Sequence, residues 1–159
     1  MTSHERPSSL APPGDDLDDA RIETLGLFLE SHNRLVSQLN RELEEHANLS
    51  LQWLEMLLRL ARTDGDCLKA TELASEIALS SGGATRLVDR MESQGLVERR
   101  RNTTDRRVVH VCLTPTGRNR LTLALPVHID GLERRLAAPL GTEMHTFAGL
   151  VRTLRDSNT

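Results

Sequence analysis

The side chains with the clearest chemical potential fall between residues 81 and 107. Ser81-Gly82-Gly83-Ala84-Thr85-Arg86 opens a helical pattern, and Arg90 follows one turn later. A helix fits the major groove of DNA with its N-terminal residues facing base edges, where arginine pairs bidentately with guanine. Ser81, Gly82, Gly83, Thr85, Arg86 and Arg90 are therefore candidate DNA contacts. Gly82 and Gly83 are poor helix residues. Their cost makes sense if the backbone must approach DNA closely; the bland reading is a loosened helix start. Arg86 and Arg90 suit guanine or phosphate, and Arg90 equally suits an ion pair with Asp105. Further along, Arg99, Arg100, Arg101, Arg106 and Arg107 crowd one short stretch. Residues 98–120 hold 7 arginines against 2 acids, while residues 1–66 hold 13 acids against 6 arginines. A net charge of −3 argues against a generic nucleic-acid coat. The local concentration has the form of an electrostatic footprint. Charge alone favours a solvated basic loop, so the case has to come from the elements around it.

Other chemistries find little support. There is no nucleophile elbow, phosphate loop or metal-ligand pair, so no catalytic residues, no metal and no cofactor are expected. The six histidines show no HxxxH spacing. Cys67 and Cys112 do not make a disulfide framework. Cys112 reads as a strand residue and Cys67 as a loop residue with no identifiable partner. A low-pKa thiolate needs one, so redox sensing is the minor reading. No window approaches the roughly 20 apolar residues that span a bilayer. The polar N-terminus lacks a signal-peptide run, which points to the cytoplasm.

Positioning these residues requires a mainly helical body, as a core of Leu, Ile, Val and Ala suits. Residues 1–16 are rich in Pro, Ser and Gly and read as a flexible tail. From 17 to 46, Ile22, Leu25, Leu29, His32, Val36, Leu39 and Leu43 recur by threes and fours. A helix of about 45 Å exceeds what one small core needs, so its surplus apolar face suggests a second copy of the chain. Ser50 caps a helix over 51–62, with Trp53, Leu54, Leu57, Leu58 and Ala61 inward. Asp64-Gly65-Asp66 ends it.

Thr71 opens a short helix over 72–78. Leu79-Ser80 turns the chain, and the next helix runs from Ser81 to Gln94, with Ala84, Leu87, Val88 and Met91 buried. Gly95 is the left-handed terminator. Short helix, tight turn and second helix make a helix-turn-helix. Residues 98–101 and 108–113 pair around a polar, basic tip to give a β-hairpin wing. Thr114-Pro115 caps a helix over 115–137, with a kink expected near Pro126. Gly141-Thr142 opens a last helix, with Met144, Phe147, Leu150, Val151 and Leu154 inward.

The fold class is thus mainly α with a small β-hairpin wing. Residues 17–46 and 115–156 form a helical dimerisation region, and 47–114 a winged helix-turn-helix. Three stretches in this order, 71–78 (TELASEIA), 84–101 (ATRLVDRMESQGLVERRR) and 105–117 (DRRVVHVCLTPTG), resemble the MarR family of bacterial regulators. The resemblance covers residues from about 20 to 156. It implies a sequence-specific regulator, most commonly a repressor, that binds a pseudo-palindromic operator in double-stranded DNA as a homodimer. It also implies that Asp105 braces the wing while Arg106 or Arg107 enters the minor groove. Relatives of this kind often bind small phenolic or aromatic effectors, and by position His32, Trp53 and His128 are candidates to line such a pocket. The competing class is a winged helix used only for protein–protein contact. Such a wing has no need of Arg101, Arg106, Arg107 and their neighbours together.

Overall fold

The computed structural model describes residues 18–76, 81–101 and 107–158. The expected tail over 1–16, the Leu79-Ser80 turn and the wing tip over 102–106 lie outside them. The chain divides into two compact units, 1–34 and 35–159.

Helix α1 (Ala20–Ala47) begins in the first unit. Asp19 starts it: its carboxylate accepts from the Arg21 amide at 2.8 Å and its carbonyl from the Ile22 amide at 2.9 Å. Of the apolar stripe expected here, Leu39 and Leu43 are buried, whereas its N-terminal part is solvent-exposed in the single chain. Ile22, Leu25, Phe28 and Leu29 are each about half exposed. His32 is exposed too, with Nδ1 3.4 Å from Asn33 Oδ1.

In the second unit the core gathers around α2 (Leu51–Ala61). The Ser50 hydroxyl accepts from the Trp53 amide at 3.2 Å, which makes it the N-cap. Leu54, Met56, Leu57 and Leu60 are fully buried, whereas Trp53, Leu58 and Ala61 are half-buried against them. The buried face is thus wider than the sequence pattern suggested, with Met56 and Leu60 added. Leu43 of α1, Leu73 of α3 (Ala70–Glu76), Leu87 and Met91 of α4 (Ser81–Ser93) and Leu121 of α5 (Pro115–Leu132) close around it.

The wing is larger than the expected hairpin. Strands β2 (Val97–Arg101) and β3 (Val109–Leu113) pair antiparallel, and a third strand, β1 (Cys67–Lys69), joins the other edge of β3. Three residues are too few for alternation to be visible in sequence. A turn with Gly65 at φ 74° and Asp66 at φ 58° brings β1 into place. Cys67, expected in a loop, is therefore a strand residue directly opposite Cys112. The two sulfurs form a disulfide, with Cα atoms 4.1 Å apart. This corrects the expectation that Cys67 lacks a partner: the partner lies 45 residues away and only strand pairing supplies it.

Gly95, at φ 69°, ends α4 as expected; the Gly95 amide donates to Glu92 O and the Leu96 amide to Met91 O, at 2.9 and 3.0 Å. Thr114 caps α5, its hydroxyl accepting from the Gly117 amide at 3.0 Å. The α-helical run passes through Pro126 to Leu132, and geometry widens to a π-turn only at Glu133–Ala137. There Arg134 and Arg135 bind the Glu42 carboxylate at 3.1 and 2.5 Å, fastening the end of α1. These guanidinium groups, Arg135 foremost, hold the Glu42 carboxyl below the usual carboxylate range. After α6 (Ala138–Leu140), α7 (Met144–Ser157) closes the chain. Its Leu150, Val151 and Leu154, expected inward, are exposed in the single chain.

Candidate nucleic-acid interface

Helix α4 is amphipathic, and its two faces have separate tasks. Ala84, Leu87, Val88 and Met91 are buried against the core, as their spacing predicts. Thr85, Arg86, Asp89, Arg90 and Ser93 are exposed on the opposite face. Arg86 and Arg90, four residues apart, stand on one side of the helix. They border an open depression of about 610 Å³ together with Gln52, Gly83, Leu87 and Asp89. Neither arginine forms an ion pair with another described residue. Gln52, exposed near the start of α2, was not picked out from sequence; only the packing of α2 beside α4 brings it to this surface.

The basic stretch separates into two populations. Arg99 reaches back to α4: its amide donates to Glu92 Oε1 at 3.0 Å, and its guanidinium binds Glu92 and, at 2.6 Å, Asp89. Burial works against the Arg99 charge, but these two carboxylates outweigh it and raise the guanidinium pKa. The pairing clamps β2 to α4. It also neutralises the one acid on the exposed face of α4, which would otherwise repel phosphate. Arg100 donates to Glu98 at 2.7 Å, Arg118 pairs with Asp66, and Arg120 donates to the carbonyls of Ala47 and Asn48 at 3.3 and 3.2 Å. These four arginines have internal duties. Arg101 and Arg107, at the two roots of the wing, are exposed. Most of the charge run is thus paired within the chain, though Arg100 and Arg118 keep half or more of their side chains exposed while paired. Asp105 and Arg106 lie outside the described residues, as does the Ser81 side chain.

The remaining candidate residues sit elsewhere. Trp53 lines the edge of the core. His128 on α5 is buried, and its Nδ1 has no hydrogen-bond partner among the described residues. Burial lowers the pKa of this ring, and the charge of Glu55 only partly offsets that. The neutral ring is therefore the folded form, while unfolding lets the ring take up a proton. This contribution to stability is complete above the ordinary histidine pKa near 6.5 and is lost as pH falls below it. Urea midpoints at pH 7.5 and 5.5 should differ less for His128→Gln than for the parent protein, the single-proton ceiling being about 1.4 kcal/mol per pH unit. An identical difference in both proteins would exclude His128 as the source. His32 belongs to the other unit.

Among the described residues no group of three His, Cys, Asp or Glu side chains could hold a metal ion, and no helix is long and apolar enough to cross a membrane.

Helices α3 and α4 followed by a three-stranded antiparallel sheet define a winged-helix fold. Residues 47–108 match the family model described as "MarR family". The chain is 27% identical over 140 residues to the transcriptional repressor MprA of Escherichia coli (strain K12), covering 88% of this chain and 79% of that one. It is 31% identical over 101 residues to the uncharacterized HTH-type transcriptional regulator YwhA of Bacillus subtilis (strain 168), covering 62% and 70%. The fold matches the crystal structure of Sco3205, a MarR family transcriptional regulator from Streptomyces coelicolor in complex with DNA. The TM-score is 0.80 at 24% identity, over 86% of this chain and 89% of that one. The chain belongs to the MarR family, and the relatives it matches are named as transcriptional regulators rather than enzymes.

Proposed function

We propose that this protein is a repressor that binds a pseudo-palindromic operator in double-stranded DNA as a homodimer. The observation that carries the reading is the exposed face of α4. There Arg86 and Arg90 have no ion-pair partner among the described residues, while Arg99 cancels the neighbouring Asp89. Arg101 and Arg107 extend the positive surface along the wing, and the exposed Thr85 and the half-buried Gly83 supply polar and backbone contacts. Ser81 and Gly82 at the helix start, Arg106 or Arg107 in the minor groove and Asp105 as the brace of the wing complete the proposal. The Sco3205 complex shows the same fold in use on DNA.

The test is a binding series with Arg86→Ala. Good bidentate arginine–guanine contacts are worth about 1–3 kcal/mol of discrimination. The variant should therefore lose about tenfold or more in affinity for a selected duplex and become less selective at one position of each half-site. Equal weakening on selected and random duplexes would reduce Arg86 to a phosphate contact.

Dimerisation rests on exposed apolar side chains in each unit: Ile22, Leu25, Phe28 and Leu29 in the first, Leu150, Val151 and Leu154 in the second. Monomeric proteins seldom leave such groups open together. Light scattering at micromolar concentration should give twice 17.7 kDa. A stable monomer would contradict the proposal. Two-fold symmetry then places the recognition helices about 34 Å apart, one turn of DNA. A small aromatic or phenolic effector acting near Trp53 and His128 is the remaining part of the proposal. It is supported by the unpartnered buried nitrogen of His128.

A further inference from the structure

We infer that the Cys67–Cys112 disulfide is a redox-sensitive clamp that sets the DNA affinity of the winged helix. Three features of its placement carry the inference. First, the disulfide closes a loop that contains the candidate recognition helix and the wing arginines. Between residues 67 and 112 lie α3, α4, β2 and most of β3. Lys69, at the end of β1, pairs with Glu72 of α3 at 3.0 Å, and Arg99 of β2 binds Asp89 and Glu92 of α4. Holding β1 on β3 therefore holds the helix-turn-helix and the wing in one geometry.

Second, the backbone ladder of β1 is short, so beyond the packing of Leu68 on the core and the Lys69–Glu72 pair the disulfide is its main tie to β3. This edge strand of three residues is paired as Cys67 with Cys112, Leu68 with Val111 and Lys69 with His110. The cysteine Cα atoms are 4.1 Å apart, the close spacing of a non-hydrogen-bonded antiparallel pair. Alternation then leaves Leu68–Val111 as the hydrogen-bonded pair of this short ladder. Third, the two cysteines differ in exposure: Cys112 is 1% exposed, whereas Cys67 is half-buried. In a reducing compartment, disulfides that do form are usually transient and redox-sensing rather than structural.

The chemistry is thiol–disulfide exchange with a low-molecular-weight thiol. A thiolate attacks Cys67 Sγ, on the more exposed of the two cysteines; the S–S bond breaks and Cys112 leaves as a thiolate that takes up a proton. A second thiol then displaces Cys67 from the mixed disulfide. Two thiols are oxidised to one small disulfide and the protein disulfide is reduced to two thiols. The reverse exchange restores the clamp. The oxidised state, with wing and recognition helix fixed together, has less freedom to lose on DNA and binds it more tightly.

The inference rests on DNA binding by this domain, and the experiment separates the two. A duplex is selected from a random-sequence pool by the oxidised protein. Affinity is then measured by fluorescence anisotropy in reduced and in oxidised dithiothreitol, with thiols counted by titration and helix content followed by circular dichroism. Reduction should expose two thiols, leave the helix signal intact and weaken binding about tenfold, within the usual range of coupling. Cys67→Ser should bind like the reduced protein and be indifferent to dithiothreitol. Cys112→Ala guards against a local effect of the serine and should behave the same way. Equal affinity in both states, two free thiols under oxidising conditions, or loss of the helix signal on reduction would each overturn the clamp. Failure to select any duplex would overturn DNA binding itself.

Discussion

Gly117→Ala is expected to destabilise the protein by about 3 kcal/mol. Gly117 lies in the first turn of α5, where a Cβ would meet the Leu96 carbonyl oxygen at 2.0 Å and Leu113 Cδ1 at 2.9 Å. The carbonyl cannot simply withdraw: it accepts from the Thr114 amide at 3.2 Å and lies 3.1 Å from the Thr114 hydroxyl. The Gly117 amide in turn donates to that hydroxyl. Pushing the helix away from Leu96 therefore breaks the N-cap as well as the packing. Overpacking costs about 1–3 kcal/mol and a lost cap about 1 kcal/mol, a large share of a total of roughly 5–15 kcal/mol. Urea unfolding measures the loss. Gly149→Ala, in α7, is the control, because a Cβ there meets nothing within 4 Å; better helix propensity should leave it neutral or slightly stabilised. Similar midpoints for both variants would show that Leu96 yields easily.

Opening the disulfide should have a comparable effect by a different route. Cys67 and Cys112 are 45 residues apart, and closing a loop of that length removes about 4 kcal/mol of denatured-state entropy. The reduced protein should therefore melt about 8–16 °C lower, while remaining folded at room temperature. Its denaturant dependence should steepen, because the unfolded chain expands further. Calorimetry with and without dithiothreitol decides it. A shift under about 2 °C would mean that the chain keeps the loop closed in the unfolded state.

Much of this architecture is written locally. Ser50, Gly95 and Thr114-Pro115 mark helix ends through hydrogen bonds made within a few residues, and each boundary appears where those residues stand. The buried stripe of α4 follows from its 3.6-residue period, so the exposed positions of Arg86 and Arg90 follow too. The motif stretches likewise lead to the MarR family.

Contacts between distant residues set the rest. Strand β1 exists because β3 offers it an edge, and the same pairing joins Cys67 to Cys112. Arg99 looks like its neighbours in sequence, yet packing against α4 turns it into a clamp and leaves Arg101 exposed. Gly117, at the end of the 105–117 motif, owes its place to the Leu96 carbonyl packed against it from 21 positions away. Periodicity and capping act over one or two turns, so the main helices, the caps at Ser50 and Thr114 and the candidate recognition face are legible in the order of residues. Only the tertiary structure decided which arginines remain exposed and whether the cysteines meet, because charge pairing and strand register depend on residues brought together from tens of positions apart.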